Sequence, residues 1–195
     1  MSTSRSNKYF IWLSVIVLLA VVAFAILKPA KQADKKVLAD TTDMNLPGPK
    51  KEVIPAPVQT TVLADSTRIF LLHQEATATP NAGYPKPREL KVDGEMYFEV
   101  TDSSRPMIIR SRLLVLTVMG KAAFRVIAWA KEAGEEVQVL SGEIRVRPNY
   151  KSQFNTPDTL HGNQMVMINK SIDMMEKEKF DATELRAWSE QIHRP

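Results

Sequence analysis

Two carboxylates in the stretch KVDGEMYFEVTDSS, residues 91–104, are the first candidates for chemistry in this chain. Glu95 and Glu99 could act as the acid and the nucleophile or base that cleave a glycosidic bond. Their segment alternates polar and apolar residues, which predicts a β-strand. In a strand they share one face with Tyr97 and lie about 13 Å apart, whereas glycosidase carboxylates lie roughly 5 to 9.5 Å apart. The spacing therefore favours a solvated face, and we predict Glu95, Tyr97 and Glu99 as a partner-binding face.

The other reactive residue types form no recognisable site. His73, His161 and His193 fall in separate segments, and the chain has no cysteine, so no cluster has metal-ligand spacing. The sequence contains neither a glycine-rich phosphate loop nor the nucleophile motif G-x-S-x-G. We therefore predict a protein that is not an enzyme and has no catalytic, metal or cofactor-binding residues. A carbohydrate-active enzyme stays as a minor alternative.

An uncharged run at the N-terminus, YFIWLSVIVLLAVVAFAIL at residues 9–27, has the length of a membrane span. As a helix it would extend about 28 Å, close to the thickness of the hydrocarbon core of a bilayer. A cleaved signal peptide is the alternative, with Ala23-Phe24-Ala25 as the cut site. A retained single-pass helix is favoured because the apolar run continues past Ala25.

The segments on either side of this run set the predicted organisation. Residues 1–8 form a short stub, and residues 28–58 form a linker rich in proline and lysine that cannot bury a core. Lysines after the span outnumber the basic residues before it, which by itself favours the opposite orientation. Because everything foldable follows the span, we predict a bacterial inner-membrane protein whose C-terminal part lies in the periplasm.

Short apolar runs separated by turns dominate the rest of the chain and predict an all-β domain over residues 59–179. The predicted strands cover 58–64, 67–73, 89–92, 95–101, 106–111, 113–119, 124–129, 136–141, 143–148 and 165–169. Asp93-Gly94, Ala133-Gly134 and Ser141-Gly142 are the predicted turns. The expected fold is an antiparallel β-sandwich or a stacked, solenoid-like sheet. Residues 180–195 predict one helix whose apolar face docks on the sheet.

The charge of this domain excludes one class of partner. Residues 59–195 contain 18 basic and 18 acidic side chains, so the positive total of the chain comes from the segments before them. Binding to nucleic acid requires a basic face. We predict no nucleic-acid partner.

Six ordered motifs are similar to those of the ferric-citrate regulator (FecR-like) family. They are LADSTRIFL (63–71), GEMYFEVTDSSRPMII (94–109), VMGKAAFRVIAW (118–129), VQVLSGEIRV (137–146), LHGNQMVMI (160–168) and DATELRAW (181–188). The residues that match the signature are Asp65, Gly94, Phe98, Val100, Arg105, Pro106, Gly120, Phe124, Val126, Gly142, Gly162, Gln164 and Trp188.

The resemblance implies an anti-sigma, transmembrane sensor protein with a periplasmic β domain. Such proteins take a signal from a TonB-dependent receptor in the outer membrane. Members usually carry a sigma-binding domain before the span, where this sequence has eight residues, and Lys121 replaces the usual Thr. We therefore expect an envelope partner, either a TonB-dependent receptor or a second membrane regulator, and an indirect effect on sigma-factor activity. The alternative is a structural or ligand-binding envelope domain with no link to a sigma factor.

Overall fold

The computed structural model describes residues 53–194, which form a β domain followed by one helix, as the fold prediction requires. The strands are β1 (Gln59–Val62), β2 (Arg68–Leu71), β3 (Thr77–Pro80), β4 (Glu89–Val100), β5 (Met107–Arg110), β6 (Leu114–Val118), β7 (Ala122–Ala128), β8 (Gly134–Ser141), β9 (Glu143–Pro148), β10 (Asp158–His161), β11 (Gln164–Asn169) and β12 (Met174–Lys179). The helix is α1 (Thr183–Gln191), and Lys170–Ile172 forms a short 3₁₀ turn.

The strands form two sheets that share β4. The larger sheet has the order β1-β2-β4-β7-β8-β11-β12, and all of its neighbours are antiparallel. The smaller sheet has the order β3-β4-β5-β6-β9-β10, in which only β4 and β5 are parallel. The last strand of the larger sheet, β12, approaches the last strand of the smaller sheet, β10. Lys177 Nζ of β12 lies 2.7 Å from Asp158 Oδ1 of β10. The sheets are therefore nearly closed at this end.

Strand β4 passes from one sheet to the other at Gly94. Its first half pairs with β3 and β5, and its second half pairs with β2 and β7. Gly94 has φ +106°, which side-chain-bearing residues rarely adopt. The predicted hairpin turn at Asp93-Gly94 is therefore wrong, because the glycine bends one continuous strand instead of reversing it.

The two sheets enclose one apolar core. Strand alternation directs Met96, Phe98 and Val100 into it, and Phe98 stacks on Phe124 of β7 with ring centroids 5.0 Å apart. Strand β6 is buried on nearly its whole length, as its apolar sequence predicts. Burial of these large side chains supplies the main stabilisation of the domain.

Three strands were not predicted, and a second predicted turn also has a different role. β3, β10 and β12 have few apolar residues, so their sequences lack a strand pattern. Ala133-Gly134 joins the antiparallel neighbours β7 and β8, as predicted. Ser141-Gly142 instead carries the chain from β8 in the larger sheet to β9 in the smaller sheet.

The predicted stub, the predicted membrane helix at 9–27 and the first part of the predicted linker lie outside the described residues. Within residues 53–194, no helix has both the length and the apolar character needed to cross a membrane. The last residues assigned to the linker are packed on the domain: Ile54 contacts the cluster around α1, and the Val58 N–H donates to the Leu71 carbonyl at 2.8 Å.

Candidate functional site

The outer face of the larger sheet carries the three residues predicted as a partner-binding face. Because side chains alternate along β4, Glu95, Tyr97 and Glu99 point away from the core. Each is then covered or paired by side chains from other elements. Tyr97 is 1% exposed and Glu95 is 7% exposed. The prediction of a solvated face was therefore wrong.

Helix α1 covers Tyr97. Leu185 and Trp188 of the helix pack with Phe70 and Tyr97 of the sheet, and the Trp188 and Tyr97 rings meet edge to face at 5.2 Å. Burial under the helix raises the pKa of Tyr97 to about 12 although Ser189 hydrogen-bonds to the phenol. The predicted docking of the helix on the sheet is thus confirmed, and it occupies the face that we had assigned to a partner.

Glu99 is held at the C-terminal end of the helix. His193 Nε2 lies 2.6 Å from one carboxylate oxygen, and Arg68 Nη2 of the neighbouring strand lies 2.9 Å from the other. The His193 ring also meets Phe70 edge-on at 5.8 Å. This cluster ties the residues after the helix to the sheet.

Glu95 forms a second and more deeply buried cluster. One of its oxygens accepts a hydrogen bond from Arg125 Nε at 2.8 Å, and His73 Nε2 lies 2.8 Å from the other. The His73 ring packs edge-on against Trp129 at 5.5 Å. Strand spacing in sequence could not reveal this cluster, because Arg125 of β7 and His73, which follows β2, are both distant from Glu95 along the chain.

Beside this cluster, the uncovered half of the sheet forms a groove of about 350 Å³. Its lining residues come from β7, β8, β11, β12 and the β7–β8 turn: Ile127, Trp129, Glu132, Gly134, Glu135, Glu136, Met167, Ile168, Asn169 and Met174. Three of them are acidic and none is basic. Glu135 is turned into the protein, where it accepts a hydrogen bond from the Leu113 N–H at 3.0 Å, and burial raises its pKa. The open rim is formed by Glu132 and Met174.

Asp65, one of the residues that match the signature, belongs to a third polar cluster. Arg88 Nε donates to Asp65 Oδ2 at 2.7 Å, and the two side chains are 1% and 3% exposed. The Thr67 N–H donates to the other Asp65 oxygen at 3.0 Å. Arg88 Nη1 also donates to the carbonyls of Asp102 and Arg105. The pair therefore fastens the β1–β2 turn to the loop that carries Arg105 and Pro106.

Several other signature residues occupy turns. Gln164 Oε1 accepts a hydrogen bond from the His161 N–H at 2.9 Å and closes the turn that contains Gly162. Arg105 Nη2 donates to the Pro85 carbonyl at 3.3 Å. Gly120 lies in the turn between β6 and β7, where an added Cβ would make only an ordinary contact with the Ser103 Cβ, at 3.8 Å. These positions support the fold.

The signature residues of apolar type have structural positions as well. Phe98, Val100, Phe124 and Val126 lie in the core between the sheets, and Trp188 lies on the face of helix α1 that is buried against the larger sheet. Among residues 53–194, no group of three or more histidine, aspartate or glutamate side chains could hold a metal ion.

The fold and this face define the class of the domain: two β-sheets around one core, with a C-terminal helix packed on the outer face of the larger sheet. No protein-family model matches the chain. The search of curated proteins likewise gave no match. Two crystal structures, at 1.65 and 2.50 Å resolution, have a similar fold and show a protein of Parabacteroides distasonis ATCC 8503 that is proposed to be an anti-sigma factor.

For both structures the TM-score is 0.55, and the sequence identities are 24% and 23%. The match covers 70% of this chain and 63% of the other. At this sequence identity, the structural similarity establishes the fold alone.

Replacement of Trp188 by Phe should loosen the segment that precedes β1. Trp188 Nε1 donates to the Pro55 carbonyl at 2.9 Å, and Phe keeps the ring contact but removes the donor. We expect the local stability of residues 54–58 to fall by about 1–2 kcal/mol, measured as faster hydrogen exchange of the Val58 amide. Glu190→Ala, at an exposed position of the same helix, should leave that exchange unchanged. An unaltered rate in Trp188→Phe would contradict the assigned role.

Proposed function

We propose that this chain is a membrane-anchored periplasmic signalling module of the FecR-like type. It is anchored by a single span at residues 9–27, binds an envelope partner and modulates sigma-factor-dependent transcription indirectly. The six ordered sequence motifs and a fold similar to that of a protein proposed to be an anti-sigma factor support this function. The partner is a TonB-dependent receptor or a second membrane regulator.

The observation that carries this proposal is the groove on the larger sheet. Helix α1 covers one part of the outer face, including Leu140 of β8, but the part lined by Ile127, Met167 and Met174 stays open. Ile127, Trp129 and Met167 give it an apolar floor, and such residue types are enriched in the centres of protein interfaces. Met174 is 38% exposed at its edge although it is apolar.

The charge of the groove defines the partner segment that fits it. Its lining includes three glutamates and no basic residue. Arg112 lies nearby, but its guanidinium donates to the Glu132 carbonyl. A partner side chain with an apolar stem and a cationic end, such as arginine or lysine, would pack on Met167 and place its charge beside Trp129 and Glu132.

Binding accounts for the acidic residues better than catalysis does. Glu95 is engaged by Arg125 and His73, and Glu99 by Arg68 and His193. Their contacts fix the fold of the sheet and helix, and the two carboxylates face different clusters. We therefore assign no catalytic role to this face.

Variants that add a positive charge to the groove should abolish signalling. Met167→Arg and Glu132→Lys each introduce a cation where the partner's cation would lie, so both should reproduce the transcriptional change caused by deleting the gene. The measurement is genome-wide transcript profiling of chromosomal variants. Arg145→Glu is the control, because this half-exposed side chain lies on β9 of the smaller sheet.

Two outcomes would contradict the proposal in different ways. If deletion leaves every sigma-dependent transcript unchanged, the signalling function is wrong. If deletion alters them but both groove variants match the parent protein at equal abundance, the groove is not the partner site.

The groove also supports a second candidate, an envelope domain that binds a small ligand without a link to a sigma factor. Its volume of about 350 Å³ falls within the range of small-molecule sites. Hexylammonium and heptanoate are suitable probes, since each has six apolar carbons and their charges are opposite. Binding of hexylammonium that Glu132→Lys abolishes, together with unchanged transcription on deletion, would favour this candidate.

A further inference from the structure

The two sheets have four edge strands, which differ in how well they are protected against pairing with another chain. β1 and β12 flank the larger sheet, and β3 and β10 flank the smaller sheet. An edge strand presents a row of backbone N–H and C=O groups that can pair with another chain. Proteins usually block such pairing with charges, prolines or covering segments.

Three of the four edges carry such a block. β3 ends in Pro80, which has no N–H to donate. β10 is tied to β12 by the ion pair between Asp158 and Lys177. β12 itself reads MMEKEK. Alternation places its glutamates on one face and its lysines on the other, so antiparallel pairing with a second β12 would bring like charges together.

β1 has no block of this kind. It reads QTTV, is uncharged and rich in β-branched residues, and is mostly exposed. Val62 is 64% exposed, and Val58 just before the strand is 52% exposed. An uncharged, exposed edge of this composition favours the addition of another strand.

The register of β1 shows which of its backbone groups are available. The Leu63 N–H donates to the Thr67 carbonyl at 2.9 Å, and Thr61 lies opposite Ile69. Hydrogen bonds alternate along an antiparallel pair, so Thr61 faces β2. The backbone N–H and C=O groups of Thr60 and Val62 therefore point outward.

We propose that β1 pairs antiparallel with β1 of a second copy of this chain, with Thr61 on the two-fold axis. This register places Thr60 opposite the partner's Val62 and forms four backbone hydrogen bonds from the groups that point outward. It also covers the exposed Val62 side chain with a β-branched neighbour on each copy. The strand is uncharged and complementary to itself, so the second copy fits it better than a segment that is selected by charge.

The size of the contact sets its strength. Four-residue strands bury far less than the roughly 1,200 Å² of a stable interface, so the pairing is weak and depends on local concentration. The site is separate from the groove, so its test takes only the membrane anchor from the proposed function and does not depend on whether the groove binds a partner.

Cysteine crosslinking tests this register directly, because the chain has no cysteine of its own. In the full chain in membranes, Thr61→Cys should give a disulfide-linked dimer at twice 22.0 kDa on a non-reducing gel. Directly opposite Cα atoms in a non-hydrogen-bonded pair lie about 4.5 Å apart, within the roughly 4.4–6.8 Å that a disulfide spans. The matched control is Thr60→Cys, whose counterpart in the second copy is offset by two residues. We expect at least about tenfold more dimer from Thr61→Cys.

Charge variants in the Thr61→Cys background check the side-chain register. Thr60→Lys with Val62→Lys places lysines opposite each other on both sides of the axis and should reduce crosslinking at least about fivefold. Thr60→Glu with Val62→Lys places opposite charges there and should restore it. Absence of a Thr61→Cys dimer, equal crosslinking of Thr60→Cys, or failure of the Glu–Lys variant to differ from the Lys–Lys variant would overturn the proposal.

Discussion

Replacing Gly142 by alanine should destabilise the domain by about 3 kcal/mol or more, because two separate costs add. Gly142 has φ +95°, a conformation that is strained for an alanine. A Cβ there would also lie 2.5 Å from the Lys121 carbonyl oxygen and 2.7 Å from the Ala122 Cα. Both contacts involve backbone, so no side-chain rotation can relieve them.

Gly120→Ala is the matched control. The Cβ at this position would meet only the Ser103 Cβ, at 3.8 Å, and the backbone has no positive φ. We expect a change below about 1 kcal/mol. Both variants are to be measured by denaturant unfolding of the full chain in mild detergent. Equal stability of the two variants would show that the crossing between the sheets does not depend on Gly142.

Replacing Arg88 by methionine should cost about 3–5 kcal/mol, because it leaves the buried Asp65 carboxylate without its cation. The two side chains are 1% and 3% exposed. The control is Arg145→Met, which removes the cation of the Arg145–Glu143 ion pair, where the two side chains are 54% and 43% exposed. An exposed pair contributes about 0–1 kcal/mol, so the two arginines should differ clearly in the free energy of unfolding. Comparable losses would contradict the assigned role of Arg88.

The same pair predicts a dependence on acid. Burial alone would raise the pKa of Asp65, but hydrogen bonds from Tyr84, the Thr67 backbone and Arg88 outweigh it and hold the pKa below its usual value. As the pH falls, Asp65 is protonated in the unfolded chain before it is protonated in the folded domain. The stabilisation by the ionised Asp65 is therefore complete above about pH 4 and is lost as the pH falls through the pKa of Asp65 in the folded domain. Asp65→Asn should show a shallower loss of stability below pH 4 than the parent protein.

The fold class could be predicted because its signals are local. Alternation in EMYFEVT and the uninterrupted apolar run of β6 each predict a strand from a few neighbouring residues. The helix follows equally from the spacing of Leu185 and Trp188, which both lie buried on the sheet. Gly94 was misread because the same Asp-Gly pair serves a hairpin turn or a bend in one strand, and only the pairing of β4 with both sheets distinguishes them.

The candidate site depended on contacts that no local pattern contains. Glu95 and Glu99 look solvated on an isolated strand, yet Arg125 lies thirty residues from the first and His193 ninety-four from the second. The groove likewise assembles from β7, β8, β11 and β12, and β12 has no apolar alternation by which it could be recognised. Such a face becomes visible only once the order of strands in the sheet is known.

The hydrogen bond from Trp188 to Pro55 has a mechanical consequence. Any tension transmitted along the chain from the residues before Val53 reaches this bond and the Ile54 contact first, and then the short ladder of β1. Because Trp188 belongs to helix α1, the helix at the end of the domain binds the segment that precedes β1. Under load this contact and the pairing of β1 would yield first, and the other strands of the two sheets would remain paired.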